Sequence, residues 1–320
     1  MNRQTRRAAK AMARHTPKRK YHQIVAVHEA RHAVAKALAA PDFGYEVHEA
    51  VAYIDVGSQE PCGLTPDGKM ILRSQAVTYG PLFSKEISLA AEEFKAAFLG
   101  DRASLAVQGS DSREFFCGTL NAARTAGADI KRWFRIRAFD AVAGCVAEAN
   151  FSKRDFGELF FQDYSAECDR GSIAHDAQMA AIPASEATFV VTHMAAVNAY
   201  LMQDDKIWAA VSALAEELPV VGRMPGREAV KIITGILSPN DLAAAYGDAV
   251  KEIDKIKAEI EAQPIVTAIC ADQTILVKGI EHLSDKESVT ALQYECKLPV
   301  FAETLQYAFG DASRPARAAD

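Results

Sequence analysis

The sequence VAVHEARHAV, residues 25–34, places two histidines four positions apart in an apolar, alanine-rich segment. Apolar periodicity from residue 24 to residue 40 predicts a buried helix. Side chains at positions i and i+4 of a helix lie on one face, so the imidazoles of His28 and His32 can reach the same metal ion. This stretch therefore predicts a buried helix that carries a metal site.

The HExxH pattern formed by His28, Glu29 and His32 also indicates a reaction. A catalytic zinc ion uses three protein ligands and keeps one position open for water, whose pKa it lowers to about 7. Glu29 can accept the proton of this water as it attacks a peptide carbonyl, and can pass it to the leaving amine. The alternative is a structural helix, but two buried histidines without partners would be costly to desolvate. The pattern therefore favours a zinc hydrolase with Glu29 as its general base.

The composition is that of a globular protein. The chain has 320 residues, of which 49% are hydrophobic and 24% are charged, and this length can accommodate two domains. It contains no apolar run of about 18 residues and no apolar N-terminal signal, so we expect a cytoplasmic protein without membrane contact. Because the cysteines show no CxxC spacing, we expect reduced thiols. The cysteines are Cys62, Cys117, Cys145, Cys168, Cys270 and Cys296.

The patterns that follow the first helix predict an α+β fold that is mainly α-helical. Strands are predicted at residues 47–56 and 70–78, as a small sheet beside the helix. Further helices are predicted at 82–128, with a loop at 109–112, and at 129–150, 169–181, 186–202, 205–218 and 227–237. A charged helix at 241–262 and strands at 266–278 and 292–301 follow a turn. They predict a small C-terminal α+β appendage over residues 238–320.

Several segments together resemble the FtsH family of zinc peptidases. Residues 25–34 resemble the HEAGHA helix of that family, and the predicted strand at 47–56 resembles the strand that follows it and lines the cleft. Further similar segments follow in the family's order: AGCVAE at 143–148, DRGSIAHDAQ at 169–178, WAAVSALA at 208–215 and PGREAV at 225–230. The resemblance covers residues 21–237 and implies a helical HExxH zinc-peptidase domain over that range.

The resemblance also implies further site residues. It makes Asp169 the third zinc ligand and Glu148 a carboxylate that orients a metal-bound imidazole. For Asp169 the structural alternative is a helix cap, and for Glu148 it is a solvated helix end or a salt bridge. His175 and Asp176, farther along the same predicted helix, are reserve candidates for the third ligand.

The chain also departs from the family pattern. It has no GxxxxGK[ST] motif for an ATPase module, so we expect peptide hydrolysis without ATP. Arg31 replaces the family's glycine near His28, where it can repel zinc or point outward and pair with a carboxylate, and we expect Arg31→Gly to be tolerated. An insertion at about residues 89–129 is a predicted lid, partner-binding element or block over the cleft.

These features predict an ATP-independent zinc metalloendopeptidase that cuts flexible polypeptide segments, with Zn²⁺ as its cofactor. The alternative is a metal-stabilised binding or assembly module of the same fold that has no turnover. Family members that carry the ATPase assemble as rings, so a homo-oligomer is a further open alternative. A test of proteolysis in a Glu29 variant that retains zinc separates the enzyme from the module.

A flexible basic arm is predicted at residues 1–20, which carry eight Lys or Arg residues and no acidic residue. The net charge of the whole chain is nevertheless -6, so the remainder is clearly acidic. Such an arm can contact nucleic acid or another acidic surface, and a solubilising tail explains it equally well. We do not expect the rest of the chain to bind nucleic acid.

Overall fold

The structure is a computed structural model that describes residues 19–56, 59–64, 70–74, 77–99, 110–162, 166–262, 265–270 and 273–278. The basic arm up to residue 18, residues 100–109 of the predicted insertion and the predicted strand at 292–301 lie outside the described residues. Within the described ranges, every helix is too short or too polar to cross a membrane.

The described chain is mainly α-helical with a small antiparallel sheet, which confirms the predicted fold class at that level. The helices are α1 (Arg19–Phe43), α2 (Lys85–Ala90), α3 (Glu92–Leu99), α4 (Ser110–Thr125), α5 (Ile130–Ser152), α6 (Glu167–Met179), α7 (Ala184–Leu201), α8 (Asp205–Val221), α9 (Gly226–Thr234) and α10 (Pro239–Ala262). The strands are β1 (Tyr53–Asp55), β2 (Gln59–Leu64), β3 (Met70–Ser74), β4 (Val77–Tyr79), β5 (Arg223–Pro225), β6 (Ile265–Cys270) and β7 (Gln273–Lys278).

Helix α1 lies at the centre of the fold. It packs mainly against α5 and α8 and also contacts α9 and α10, while α5 in turn packs against α7. Its alanines Ala26, Ala30, Ala33 and Ala37 are fully buried. Because the distance between packed helices depends on the side chains at their contact, these small residues allow close approach to α1.

The sheet that accompanies α1 has the strand order β4–β1–β5, and both pairings are antiparallel. Ile54 of β1 lies opposite Thr78 of β4 and Met224 of β5. The chain after β5 passes so close to the chain before β1 that a Cβ on Gly226 would collide with the carbonyl oxygen of Val51. The remaining strands form the hairpins β2–β3 and β6–β7.

Four of the predicted elements differ from the structure, and one of them, the predicted strand at 266–278, is the hairpin β6–β7. Residues 47–56 do not form one strand, because Val47–Glu49 is a 3₁₀ turn closed by a reciprocal capping box between Glu46 and Glu49, and only β1 pairs with other strands. The predicted strand at 70–78 is divided between β3 and β4, which belong to different sheets. The predicted loop at 109–112 is largely the start of α4, where Asp111 is favourable at a helix N-terminus.

Helix α10 is part of the helical core. It packs against α7 and α1, and its residues Leu242, Tyr246, Ala249 and Ile253 are buried. This helix lies in the segment 238–320, for which the sequence predicts a small α+β appendage. Helices α1 and α7 thus cover the apolar side of α10.

Candidate metal centre

Helices α1 and α5 pack antiparallel and face each other with side chains spaced four residues apart. This spacing keeps each set on one face of its helix. At one end of this row of side chains His28 of α1 contacts Glu148 of α5, and at the other end Lys36 of α1 contacts Asp140 of α5. The facing residues are His28, His32 and Lys36 on α1 and Asp140, Gly144 and Glu148 on α5.

Gly144 provides the space for the ring of His28. A Cβ at this position would lie 2.5 Å from Cδ2 and 2.6 Å from Cε1 of His28, which is far inside van der Waals contact. The imidazole therefore lies directly over the backbone of α5, and residue 144 has to be a glycine for the ring to remain there.

Three ligand-type side chains converge beside this glycine. Nε2 of His28 lies 3.1 Å from Nε2 of His32 and 3.1 Å from Oδ2 of Asp169, and Nε2 of His32 lies 3.7 Å from Oδ1 of Asp169. In a tetrahedral zinc site with bonds of about 2.0 to 2.2 Å, ligand atoms are about 3.3 to 3.6 Å apart. The observed separations lie within about 0.2 Å of this range, so His28, His32 and Asp169 are placed where they could hold a metal ion.

Each of the two imidazoles also contacts a carboxylate through its other nitrogen. Nδ1 of His28 lies 3.5 Å from Oε2 of Glu148, and Nδ1 of His32 lies 3.3 Å from Oδ1 of Asp140. Carboxylates in these positions orient metal-binding histidines and favour the tautomer whose Nε2 carries a lone pair. Glu148 thus occupies the place that the resemblance implies, whereas sequence reasoning missed Asp140. Its position eight residues before Glu148 places it on the same face of α5, but no sequence pattern connects it to His32.

Asp140 is held in a network of charged groups. Its carboxylate contacts Nζ of Lys36 and lies 3.9 Å from Nη1 of Arg137, and Nε of Arg137 lies 2.8 Å from Oδ2 of Asp176. Burial acts to raise the pKa of Asp140, but Lys36, His32 and Arg137 outweigh it and hold the pKa well below its usual range. Asp140 is therefore an ionised acceptor for His32.

The cluster favours positive charge at its centre. Burial alone lowers the pKa of His32, but the charge of Asp169 and the interactions with Asp140 raise it to about 9. Burial likewise opposes protonation of His28, yet the hydrogen bonds to Asp169 and Glu148 raise its pKa well above the ordinary value. Burial would raise the pKa of Asp169, but the two imidazoles hold it below its usual range. A bound dication would supply the same positive charge without these protons.

Glu29 lies on the sheet side of α1. It is only 5% exposed, and the Thr78 hydroxyl on β4 is 2.8 Å from Oε2 and 3.0 Å from the main-chain carbonyl oxygen of Glu29. Burial raises the pKa of this carboxyl, while the charges of His32 and His28 and the hydrogen bond from Thr78 lower it by less. The contact with Thr78 fixes the carboxylate next to the imidazole cluster.

Asp169 does not cap helix α6. The helix begins at Glu167, and the capping residue is Ala166, so Asp169 belongs to the first helical turn. Its side chain points to His28 and His32 instead. The capping alternative therefore does not account for the position of this carboxylate, although a negative charge in the first turn remains favourable.

The reserve candidates His175 and Asp176 have other surroundings. Asp176 is buried and paired with Arg137, and the side chain of His175 is 44% exposed. The ring of His175 contacts Phe116 edge to face. Among the residues proposed from sequence, the structure thus brings His28, His32, Asp169 and Glu148 together, and leaves these two in a different environment.

Arg31 is buried in the core, so the outward orientation predicted as one alternative is wrong. Its side chain is fully enclosed, Nη2 donates a 2.7 Å hydrogen bond to Oδ1 of Asn198 on α7, and the guanidinium lies 5.7 Å from the ring centre of Phe139. Within the described residues, Nε and Nη1 have no hydrogen-bond partner. Burial lowers the pKa of Arg31 to about 9. Arg31 therefore connects α1 to α7.

Cys145 is a residue near the cluster that sequence reasoning missed. It follows Gly144 on α5, and its Sγ lies 3.9 Å from Oδ2 of Asp169. Donor atoms of His28, Cys145 and Asp169 all lie within 4.8 Å of one another. The potential metal ligands at this site therefore include a thiol.

Comparison with known protein families, characterised proteins and solved structures finds no match to this chain. The resemblance to the FtsH-family peptidases consequently depends on the motifs quoted above. The geometry of the cluster stands independently of that resemblance, because it follows from the packing of α1, α5 and α6.

We expect Asp169→Asn to weaken zinc binding at least tenfold, because a neutral amide is a poorer ligand than a carboxylate. The matched variant Asp176→Asn should retain wild-type zinc affinity and instead lose about 1 to 3 kcal/mol of folding free energy, since it disturbs the buried ion pair with Arg137. Chelator competition at neutral pH measures the affinity, and urea unfolding measures the stability. Equal zinc affinity in the two variants would remove Asp169 from the site.

Proposed function

We propose that this protein is an ATP-independent zinc metalloendopeptidase of the HExxH type, similar to the peptidase domain of the FtsH family. One observation carries the proposal: Nε2 of His28, Nε2 of His32 and the carboxylate of Asp169 converge at 3.1 to 3.7 Å. The carboxylates of Glu148 and Asp140 that contact the two imidazoles support the same reading, because metal-binding histidines commonly have such partners.

His28, His32 and Asp169 would hold the ion. Three protein ligands leave a fourth position for water, as in catalytic zinc sites. A zinc ion bound here supplies Lewis acidity to that water and to the scissile carbonyl. Glu148 and Asp140 keep the imidazole planes fixed, so that both Nε2 atoms point to one centre.

Glu29 acts as the general base in this proposal. The Thr78 hydroxyl engages Oε2, so Oε1 is the oxygen that accepts a proton from the attacking water. The same oxygen then returns the proton to the nitrogen of the leaving amine. Since Glu29 is adjacent to His28 in the chain and fixed by β4, it needs no large movement to serve both steps.

The proposed substrate is a flexible polypeptide segment. Thr78, which fixes Glu29, lies on β4, and β4 is an edge strand of the sheet formed by the described residues. An extended peptide can add to such an edge through main-chain hydrogen bonds, with little dependence on its side chains. This arrangement favours cleavage of unfolded or mobile segments.

The experiment that tests the proposal is Glu29→Gln. We expect casein hydrolysis to fall at least about a hundredfold, because glutamine cannot accept the proton, while one zinc ion per chain is retained. Glu228→Gln, on an exposed position of α9, is the matched control and should keep full activity. Metal analysis and the cleavage assay are made on the same preparations.

A wild-type chain that binds zinc and cleaves nothing would instead favour the metal-stabilised binding or assembly module. The geometry around Glu29 argues against that alternative. A metal that only stabilises the fold needs no buried carboxylate beside its ligands, yet Glu29 is buried and held by Thr78 at this position.

A further inference from the structure

Cys145 lies where a fourth ligand of the same ion would be. It follows Gly144, the residue covered by the ring of His28. Sγ of Cys145 lies 3.9 Å from Oδ2 of Asp169, and the donor atoms of His28, Cys145 and Asp169 are mutually within 4.8 Å. The side chain is only 1% exposed, so bulk water does not compete for the thiol.

These distances are close to those of a bound thiolate. With a zinc–sulfur bond of about 2.3 Å and a zinc–oxygen bond of about 2.1 Å, tetrahedral ligand atoms lie about 3.6 Å apart. The observed separation of 3.9 Å between Sγ and Oδ2 exceeds this value only slightly. A small side-chain adjustment therefore brings Sγ into one coordination sphere with His28 and Asp169, the two residues whose donor atoms it already approaches.

We infer, on the basis of the zinc site proposed above, that Cys145 is a reversible fourth ligand that competes with the catalytic water and lowers the resting activity of the peptidase without abolishing it. In the closed form the thiolate would take the position of the catalytic water, and that water and the thiol proton would both be released to solvent. A zinc ion with four protein ligands has the closed arrangement of structural sites. Glu29 then has no water to deprotonate, although the ion is bound more firmly.

Cobalt(II) substitution of the purified full chain tests this inference, because a thiolate ligand produces an intense near-ultraviolet charge-transfer band that nitrogen and oxygen ligands do not. We expect this band in the wild-type protein and in Cys117→Ser, which alters a thiol on α4. We expect it to be absent in Cys145→Ala, with one cobalt ion still bound. Zinc affinity of Cys145→Ala should fall about tenfold, and its peptidase activity at saturating zinc should rise several-fold.

The outcomes separate this inference from the proposed function. Cobalt bound to the wild-type chain without the band, or a band that persists in Cys145→Ala, would overturn the role of Cys145 and leave the peptidase proposal standing. A wild-type chain that binds no cobalt and no zinc would overturn both. Cys145→Ser is the second variant, which keeps nearly the size of the side chain, and it should also lack the band while it binds one cobalt ion.

Discussion

Replacing Gly144 with alanine is expected to abolish zinc binding by a chain that otherwise remains folded. The new Cβ would lie 2.5 and 2.6 Å from two ring carbons of His28, so the imidazole has to leave its place. Its Nε2 then no longer meets Asp169 and His32, so the site loses the ligand that lies closest to the others. We expect the affinity to fall at least about a hundredfold, measured by chelator competition.

The control for this variant is Gly247→Ala on α10, where an added Cβ meets no atom within 4 Å. This substitution should leave zinc affinity unchanged and raise stability by up to about 1 kcal/mol, because alanine favours a helix more than glycine does. Comparing the two variants separates the effect on His28 from the general effect of alanine in a helix. Wild-type zinc affinity in Gly144→Ala would mean that His28 is not a ligand.

The second large effect is expected from Arg31→Gly, which we predict to destabilise the fold by about 3 to 6 kcal/mol. The sequence predicts that Arg31→Gly is tolerated, but the structure predicts a loss of stability. Arg31 fills buried volume and donates a hydrogen bond to Asn198. The substitution leaves a cavity, an acceptor on Asn198 without its donor, and a glycine inside α1. Natural domains have only about 5 to 15 kcal/mol of stability, so this loss is severe.

A double variant, Arg31→Met with Asn198→Leu, tests the cause of that loss. It keeps most of the volume and removes both polar partners together, so it should cost much less than Arg31→Gly. Asn198→Leu alone should be costly, because it leaves a buried guanidinium without its acceptor. Urea unfolding midpoints of the variants give the comparison. A change of less than 1 kcal/mol in Arg31→Gly, on the order of a surface substitution, would contradict the packing role.

The parts of the site that depend on one helix could be predicted from sequence. His28, Glu29 and His32 lie within a short stretch of α1, so helical periodicity alone places the two imidazoles on one face. Asp169 and Glu148 were reached only through the resemblance, because no local pattern connects them to α1. The structure places both beside His28.

The parts that depend on how helices pack could not be predicted. Asp140 and Cys145 meet α1 or Asp169 only because α5 runs antiparallel to α1 at close range. The direction of Arg31 depends on α7 providing Asn198, a residue far along the chain. A helical pattern shows which residues share a face, but it does not show which neighbour covers that face.

The ligands described above come from both ends of a long chain segment, since His28 and His32 lie on α1 and Asp169 lies on α6. In the zinc-bound form that we propose, the ion is a cross-link that closes a loop of more than a hundred residues. A cross-link of this kind restricts the unfolded chain as a disulfide does, and its effect grows with the length of the loop it closes. Catalysis and the attachment of α6 to α1 would then depend on the same ion, so loss of the metal would also destabilise the fold.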